Sequence, residues 1–145
     1  MKTVIVSGFF NPLHGGHLDM IEAGRKMGDK LIVIVNNDEQ QIAKKGKIIL
    51  PQENRARLLG ALRDVDEVRI AIDEDGTVIK SIEQIALDYP DDELVFANGG
   101  DRDSEKVVPE KGICDTYNIK MEFGVGGDVK ADSSTRINQA LGHNR

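Results

Sequence analysis

Leu31-Ile32-Val33-Ile34-Val35 is an unbroken apolar run, and all but its first residue are β-branched. A strand that is half exposed alternates apolar with polar residues. A strand that is apolar at every position must be covered on both faces, which is the situation of a parallel sheet between two layers of helices. Thr3 to Ser7 reads the same way. Helical spacing follows each run. Leu18 to Met27 carries apolar residues at helical intervals and then Gly28 as a stop. Residues 51–63 place Pro51 in a first turn and Leu58, Leu59 and Leu62 on one stripe. Glu67 to Ile72 reads as a strand, Asp73-Glu74-Asp75-Gly76 as a turn, and Val78 to Leu87 as a helix. Leu94 to Ala97, Lys106 to Tyr117, Ile119 to Phe123 and Ser134 to Leu141 continue the strand–helix alternation. The pattern predicts one α/β domain over residues 1–145. It is a Rossmann-like doubly wound sheet of about five parallel strands with helices on both faces.

In such a sheet, ligands lie beyond the carboxyl ends of the strands. Segments 8–17, 36–47 and 98–103 all follow strand ends, and 126–135 precedes the last helix. The first of these, Gly8-Phe9-Phe10-Asn11-Pro12-Leu13-His14-Gly15-Gly16-His17, holds two of the chain's three histidines. A helix N-terminus has unpaired N–H groups and favours anions. His14 and His17, at i and i+3, share one face of its first turn. Glycines between them allow a polyphosphate close to the backbone. A structural zinc site is the competing use of two such histidines. Zinc takes three or four ligands, and neither His143 near the C-terminus nor Cys114, which has no CxxC partner, completes a set.

The net charge is −6, which argues against nucleic-acid or anionic-membrane surfaces as partners. An anionic substrate then needs a local basic patch, and Lys44-Lys45-Gly46-Lys47 is the obvious one. Solvated surface lysines are the alternative there. No apolar run is long enough to span a membrane. A lone cysteine leaves no internal disulfide framework. These features lead to the expectation of a cytoplasmic protein, with Cys114 a small buried hydrophobe.

The two histidines in His14-Gly15-Gly16-His17 resemble the HxGH motif of the nucleotidyltransferase superfamily, in its cytidylyltransferase-like branch. Asp132-Ser133-Ser134-Thr135-Arg136-Ile137 resembles that family's late signature, and Asn98-Gly99-Gly100-Asp101 its glycine-and-aspartate turn. Lys44 to Lys47, followed by Pro51 and Arg55, resembles its mobile basic loop. The similarity covers nearly the whole chain. In length and order it is nearest to glycerol-3-phosphate cytidylyltransferases and heptose-phosphate adenylyltransferase domains.

The resemblance implies transfer of a nucleoside monophosphate from CTP or ATP to a small phosphorylated metabolite, with release of pyrophosphate. It implies catalytic roles for His14, His17 and Lys44. Gly8, Phe9, Phe10, Asn11 and Gly16 would meet the nucleotide from the first turn. Asn98, Gly99, Gly100 and Asp101 would meet it from the fourth strand, and Ser133, Ser134 and Thr135 from the last helix. Lys45, Lys47, Arg55, Arg63 and Arg136 would hold phosphate or the second substrate. Asp101 would help hold Mg²⁺, and the assembly would be a homodimer. Length and the 44–68 segment favour CMP as the transferred group. Two departures bear on this. Asn11 stands where cytidylyltransferases often carry Asp, and Gly126 to Asp132 replaces the segment that helps choose the base. A nucleotide-binding regulatory module without chemistry is the reading from another class, and the intact histidine pair argues against it.

Overall fold

A computed structural model describes residues 1–10, 13–99 and 109–125. Five strands form one parallel sheet in the order β3-β2-β1-β4-β5. They are β1 (Lys2–Gly8), β2 (Lys30–Val35), β3 (Glu67–Ile70), β4 (Glu93–Gly99) and β5 (Lys120–Val125). The helices between them are α1 (Gly15–Lys26), α2 (Asp38–Lys45), α3 (Gln52–Gly60), α4 (Ile79–Asp88) and α5 (Lys111–Thr116). The alternation expected from the sequence is present. Helix α2 was not expected, and the expected α3 runs only to Gly60. Residues 106–108 of the expected fourth helix, and the whole of the last one, lie outside the described residues.

The pleat divides the continuous apolar strands into two cores. Val4, Val6, Leu31, Val33 and Val35 pack with Ile21 of α1 and Leu59 of α3. Ile5, Ile32, Ile34 and Phe96 pack with Ile82 and Ile85 of α4 and Cys114 of α5. Successive strand residues therefore serve opposite helix layers, which is why β1 and β2 could not alternate with polar residues. The winding reverses at β1, which pairs with β2 on one side and β4 on the other. No helix among the described residues is long and apolar enough to cross a membrane.

Helix α2 owes its place to caps and amides. The Asn37 side chain accepts from Gln40 N, the Gln40 side chain accepts from Asn37 N, and Gly46 closes the helix at φ +72°. Gly46 therefore ends a helix, as glycine does in the left-handed region. Gln40 Nε2 donates to the carbonyls of Asp75 and Thr77, and Asn37 Nδ2 to those of Ala71 and Asp73. These bonds fasten the start of α2 to the segment after β3.

Arg55 binds a second set of connections together. Its side chain is fully buried. Nε donates to the Leu50 carbonyl at 2.8 Å. One terminal nitrogen donates to the carbonyls of Phe9 at 2.6 Å and Asn36 at 2.8 Å. The other meets the Asp38 carboxylate at 2.7 Å. Arg55, expected as a ligand of the substrate, is placed with its side chain buried and with four hydrogen bonds to the protein itself. A rigid planar fork suits several carbonyls at once, which an ammonium would not.

Arg55→Met should cost ~3–5 kcal/mol in urea unfolding, because it takes the guanidinium from three carbonyls and leaves the Asp38 carboxylate without its cation. A loss under ~1 kcal/mol would contradict this reading of the guanidinium. Gly28 makes a smaller test. A Cβ there would lie 2.8 Å from the Lys2 carbonyl oxygen and 2.9 Å from Val4 Cγ2. Gly28→Ala should therefore destabilise by ~1–3 kcal/mol, as overpacking does, and equal stability would show that β1 can yield.

Candidate functional site

The turn from β1 into α1 is built around the two histidines. His14 is the N-cap of α1, in extended backbone, and its Nδ1 accepts from Gly16 N at 3.1 Å. His17 Nδ1 accepts from His14 N at 3.3 Å. The imidazoles thus do the work usually given to Ser and Glu in a reciprocal cap. The rings stack with centroids 3.7 Å apart and 22° between planes. Phe10 packs edge-on against His17 at 4.7 Å. A nitrogen that accepts from a main-chain N–H carries no proton. In this geometry each neutral imidazole carries its proton on Nε2 and is a hydrogen-bond donor there.

Phe10 is held at φ +52°, unusual for a bulky side chain. Its ring folds back over the end of β1, so that a Cβ on Gly8 would come within 3.0 Å of it. Gly8 is thus explained by the Phe10 ring. Phe10 itself is buried in the α1–α3 core. Gly16 supplies the N–H taken by His14. Asn11 lies outside the described residues.

The basic segment is not the loop that the sequence suggested. Lys44 and Lys45 belong to α2, and Lys47 follows its glycine cap. The structure brings Lys44 to the residue that follows β1: its ammonium stands 4.6 Å from the centroid of the Phe9 ring. Lys47 is exposed. Arg63 is placed elsewhere. It lines a cavity of about 150 Å³ with Leu18, Ile21, Glu22, Leu62 and Asp64, along the body of α1.

Asn98 and Gly99 close β4, beside β1 in the sheet. Asn98 is buried, and its Nδ2 donates to the carbonyls of Phe96 and Glu122 across the irregular register between β4 and β5. That use of the amide was hidden in the sequence, which showed only a turn. Gly100, Asp101, Ser133, Ser134, Thr135 and Arg136 lie outside the described residues. Among the described residues, no three His, Cys, Asp or Glu side chains are grouped to hold a metal ion. Burial pushes the Cys114 thiol up to about 12, helped by the Glu110 and Asp115 carboxylates, so it stays protonated and is no nucleophile.

The arrangement offers two imidazole donors, a helix start and a lysine at the C-terminal edge of the sheet, beside the point between β1 and β4 where the winding reverses. An open α/β sheet has its ligand crevice at such a point.

Residues 5–143 match the cytidylyltransferase-like family. The chain is 41% identical to an FAD synthase from Ferroglobus placidus over 88 residues, 61% of this chain and 56% of that protein. It is 37% identical to the bifunctional protein HldE of Citrobacter koseri over 131 residues, 81% of this chain and 27% of that protein. The chain thus spans little more than half of one curated relative and about a quarter of the other. Its fold is similar to the crystal structure of a lipopolysaccharide core biosynthesis protein from Thermoplasma volcanium. The TM-score is 0.65 at 26% identity, over 85% of this chain and 93% of that one. With residues 5–143 matched, the chain belongs to the cytidylyltransferase-like family of nucleotidyltransferases.

Proposed function

We propose that the protein transfers AMP from ATP to a small phosphorylated metabolite and releases pyrophosphate. The observation that carries the reading is the reciprocal cap of His14 and His17. It fixes two Nε2–H donors at a helix start, where phosphate oxygens are favoured. An oxygen of the acceptor phosphate attacks the α-phosphorus of the triphosphate. The new P–O bond forms as the bond to the β-phosphate breaks, and pyrophosphate leaves with the electron pair. No side chain needs to become a nucleophile. The protein supplies positioning and donors aimed at charge that grows in the transition state. His14, His17 and Lys44 carry that role. Gly16 and the β4 end, with Asp101 and Ser133 to Thr135 beyond the described residues, contribute to the nucleotide site.

The choice of AMP is supported by the likeness to an FAD synthase, since FAD is FMN joined to AMP. The sequence favoured CMP partly through the 44–68 segment. Arg55, within that segment, is hydrogen-bonded to three main-chain carbonyls and to Asp38, which weakens the argument from that segment. CTP is the competing donor, and the family description keeps it in view. Mg²⁺ fits the chemistry of the triphosphate. Its ligands would be phosphate oxygens and Asp101, and its charge would offset that of the leaving pyrophosphate.

Pyrophosphate release from ATP and from CTP, with FMN, glycerol 3-phosphate and a hexose 1-phosphate as acceptors, tests this directly. ATP should be used in preference to CTP with at least one acceptor, and excess EDTA should abolish turnover. Preference for CTP would reverse the donor, and no release with any pair would sink the reading. His17→Ala should lower kcat by ~10²- to 10³-fold, the scale of losing one transition-state donor, with a much smaller effect on ATP binding. Near-parental turnover would remove His17 from the chemistry.

A further inference from the structure

Phe10 leads into the histidine turn in a conformation that its residue type resists. Its φ is +52°, in the left-handed region, where a bulky side chain crowds its own main chain. Such strain persists only where the surroundings impose it, and it gathers at functional sites. Phe10 is 1% exposed, in the core that also holds Ile21 and Leu59. Those two enter that core from ordinary helical backbone, so burial alone does not account for the strain. The ring lies so close over β1 that a Cβ at Gly8 would stand 3.0 Å from its Cζ. A strained main chain and a glycine together bring this ring to one place.

What that place adds is a contact with His17. The ring centroids are 4.7 Å apart with 64° between planes, the edge-to-face arrangement that aromatic quadrupoles favour. The imidazole has need of it. His17 Nδ1 accepts from His14 N at 3.3 Å, long for an N–H donor. The torsion that turns an imidazole about its stem is broad, so this bond alone would let Nε2 swing. Two rings restrain it, His14 by stacking and Phe10 by its edge contact. Of the two, only Phe10 is buried in the core.

We propose that Phe10 is a positioning residue for the transfer reaction: its buried ring holds the His17 imidazole at the angle that aims Nε2–H at the phosphates. With 1% of the residue exposed, the side chain acts through His17. This rests on the nucleotidyl-transfer reading above, in which His17 is a donor. A donor that stabilises developing charge must be held in place before the reaction. A looser His17 still meets the bound triphosphate, so its loss of aim falls on kcat and spares ATP affinity.

Phe10→Leu and Phe10→Met keep an apolar side chain and remove the ring. Leu31→Ala is the control: Leu31 belongs to the same core but starts β2, at the opposite end of the strands from the histidine turn. All three variants should melt below the parent. Assayed at a temperature where each is folded, both Phe10 variants should lose roughly 10-fold or more in kcat with KM for ATP little changed. Leu31→Ala should keep the parental kcat. Long-range proton–nitrogen NMR should show His17 passing from the Nε2–H tautomer to a mixture in the Phe10 variants. Adding Phe10→Leu to His17→Ala should cost no further turnover. Parental kcat in the Phe10 variants, an equal loss in Leu31→Ala, or an unchanged His17 spectrum would overturn the proposal. If neither Phe10 variant folds, the parent decides: with a non-hydrolysable ATP analogue bound, the Phe10 and His17 rings should still show mutual NOEs, and their absence would overturn it. If the parent turns over no nucleotide with any acceptor, the nucleotidyl-transfer reading falls and takes the catalytic part of the proposal with it. The His17 spectrum would then still decide whether Phe10 sets the imidazole.

Discussion

Strand β1 is hydrogen-bonded along both edges, to β2 over Thr3 to Gly8 and to β4 over Lys2 to Ile5. Parallel pairing on both sides leaves β1 no freedom to slide, and its apolar residues are locked into two cores at once. Its last residue is tied onward as well, since Asn36 N donates to the Gly8 carbonyl at 2.8 Å. The chain then leaves the sheet in a fixed direction. The buried guanidinium of Arg55 takes the next carbonyl, Phe9, and joins it to Asn36, Leu50 and Asp38. The histidine turn and the start of α2 are thus held by one ion. A site that must place donors to a fraction of an ångström needs this kind of support behind it.

In the proposed mechanism His14 and His17 serve the fold and the chemistry with different atoms. Their Nδ1 atoms close the first turn of α1 by accepting main-chain N–H groups. That duty sets the tautomer and leaves Nε2–H as the donor. Stacking of the two rings fixes their spacing. On that proposal the same hydrogen bonds that start the helix prepare the site.

The strands were legible because β-branched runs covered on both faces have no other good solution. The first turn of α1 was legible because paired histidines between glycines are rare at a strand end. Helix α2 escaped because its buried positions are Gln40 and Gln41, and hydropathy does not count amides as core. Its signals were Asn37 and Gly46, one cap at each end. The segment read as a basic loop because its lysines are obvious and its caps are not. The burial of Arg55 was hidden for a related reason. Long cationic side chains are ordinarily exposed, and nothing in a one-dimensional pattern shows that Phe9, Asn36 and Leu50 turn their carbonyls toward one point.

If main-chain caps set His14 and His17 as Nε2–H donors to a nucleotide's phosphates, the tautomer of both rings is fixed before any ligand binds. Long-range proton–nitrogen NMR of the imidazole rings reads the tautomer directly, and His143 can be assigned by its removal. Both rings should carry Nε2–H in the free protein, and both Nε2 resonances should shift on saturation with a non-hydrolysable ATP analogue; this is the tautomer that the two caps impose. Protons on Nδ1, or spectra unchanged at saturating nucleotide, would contradict it.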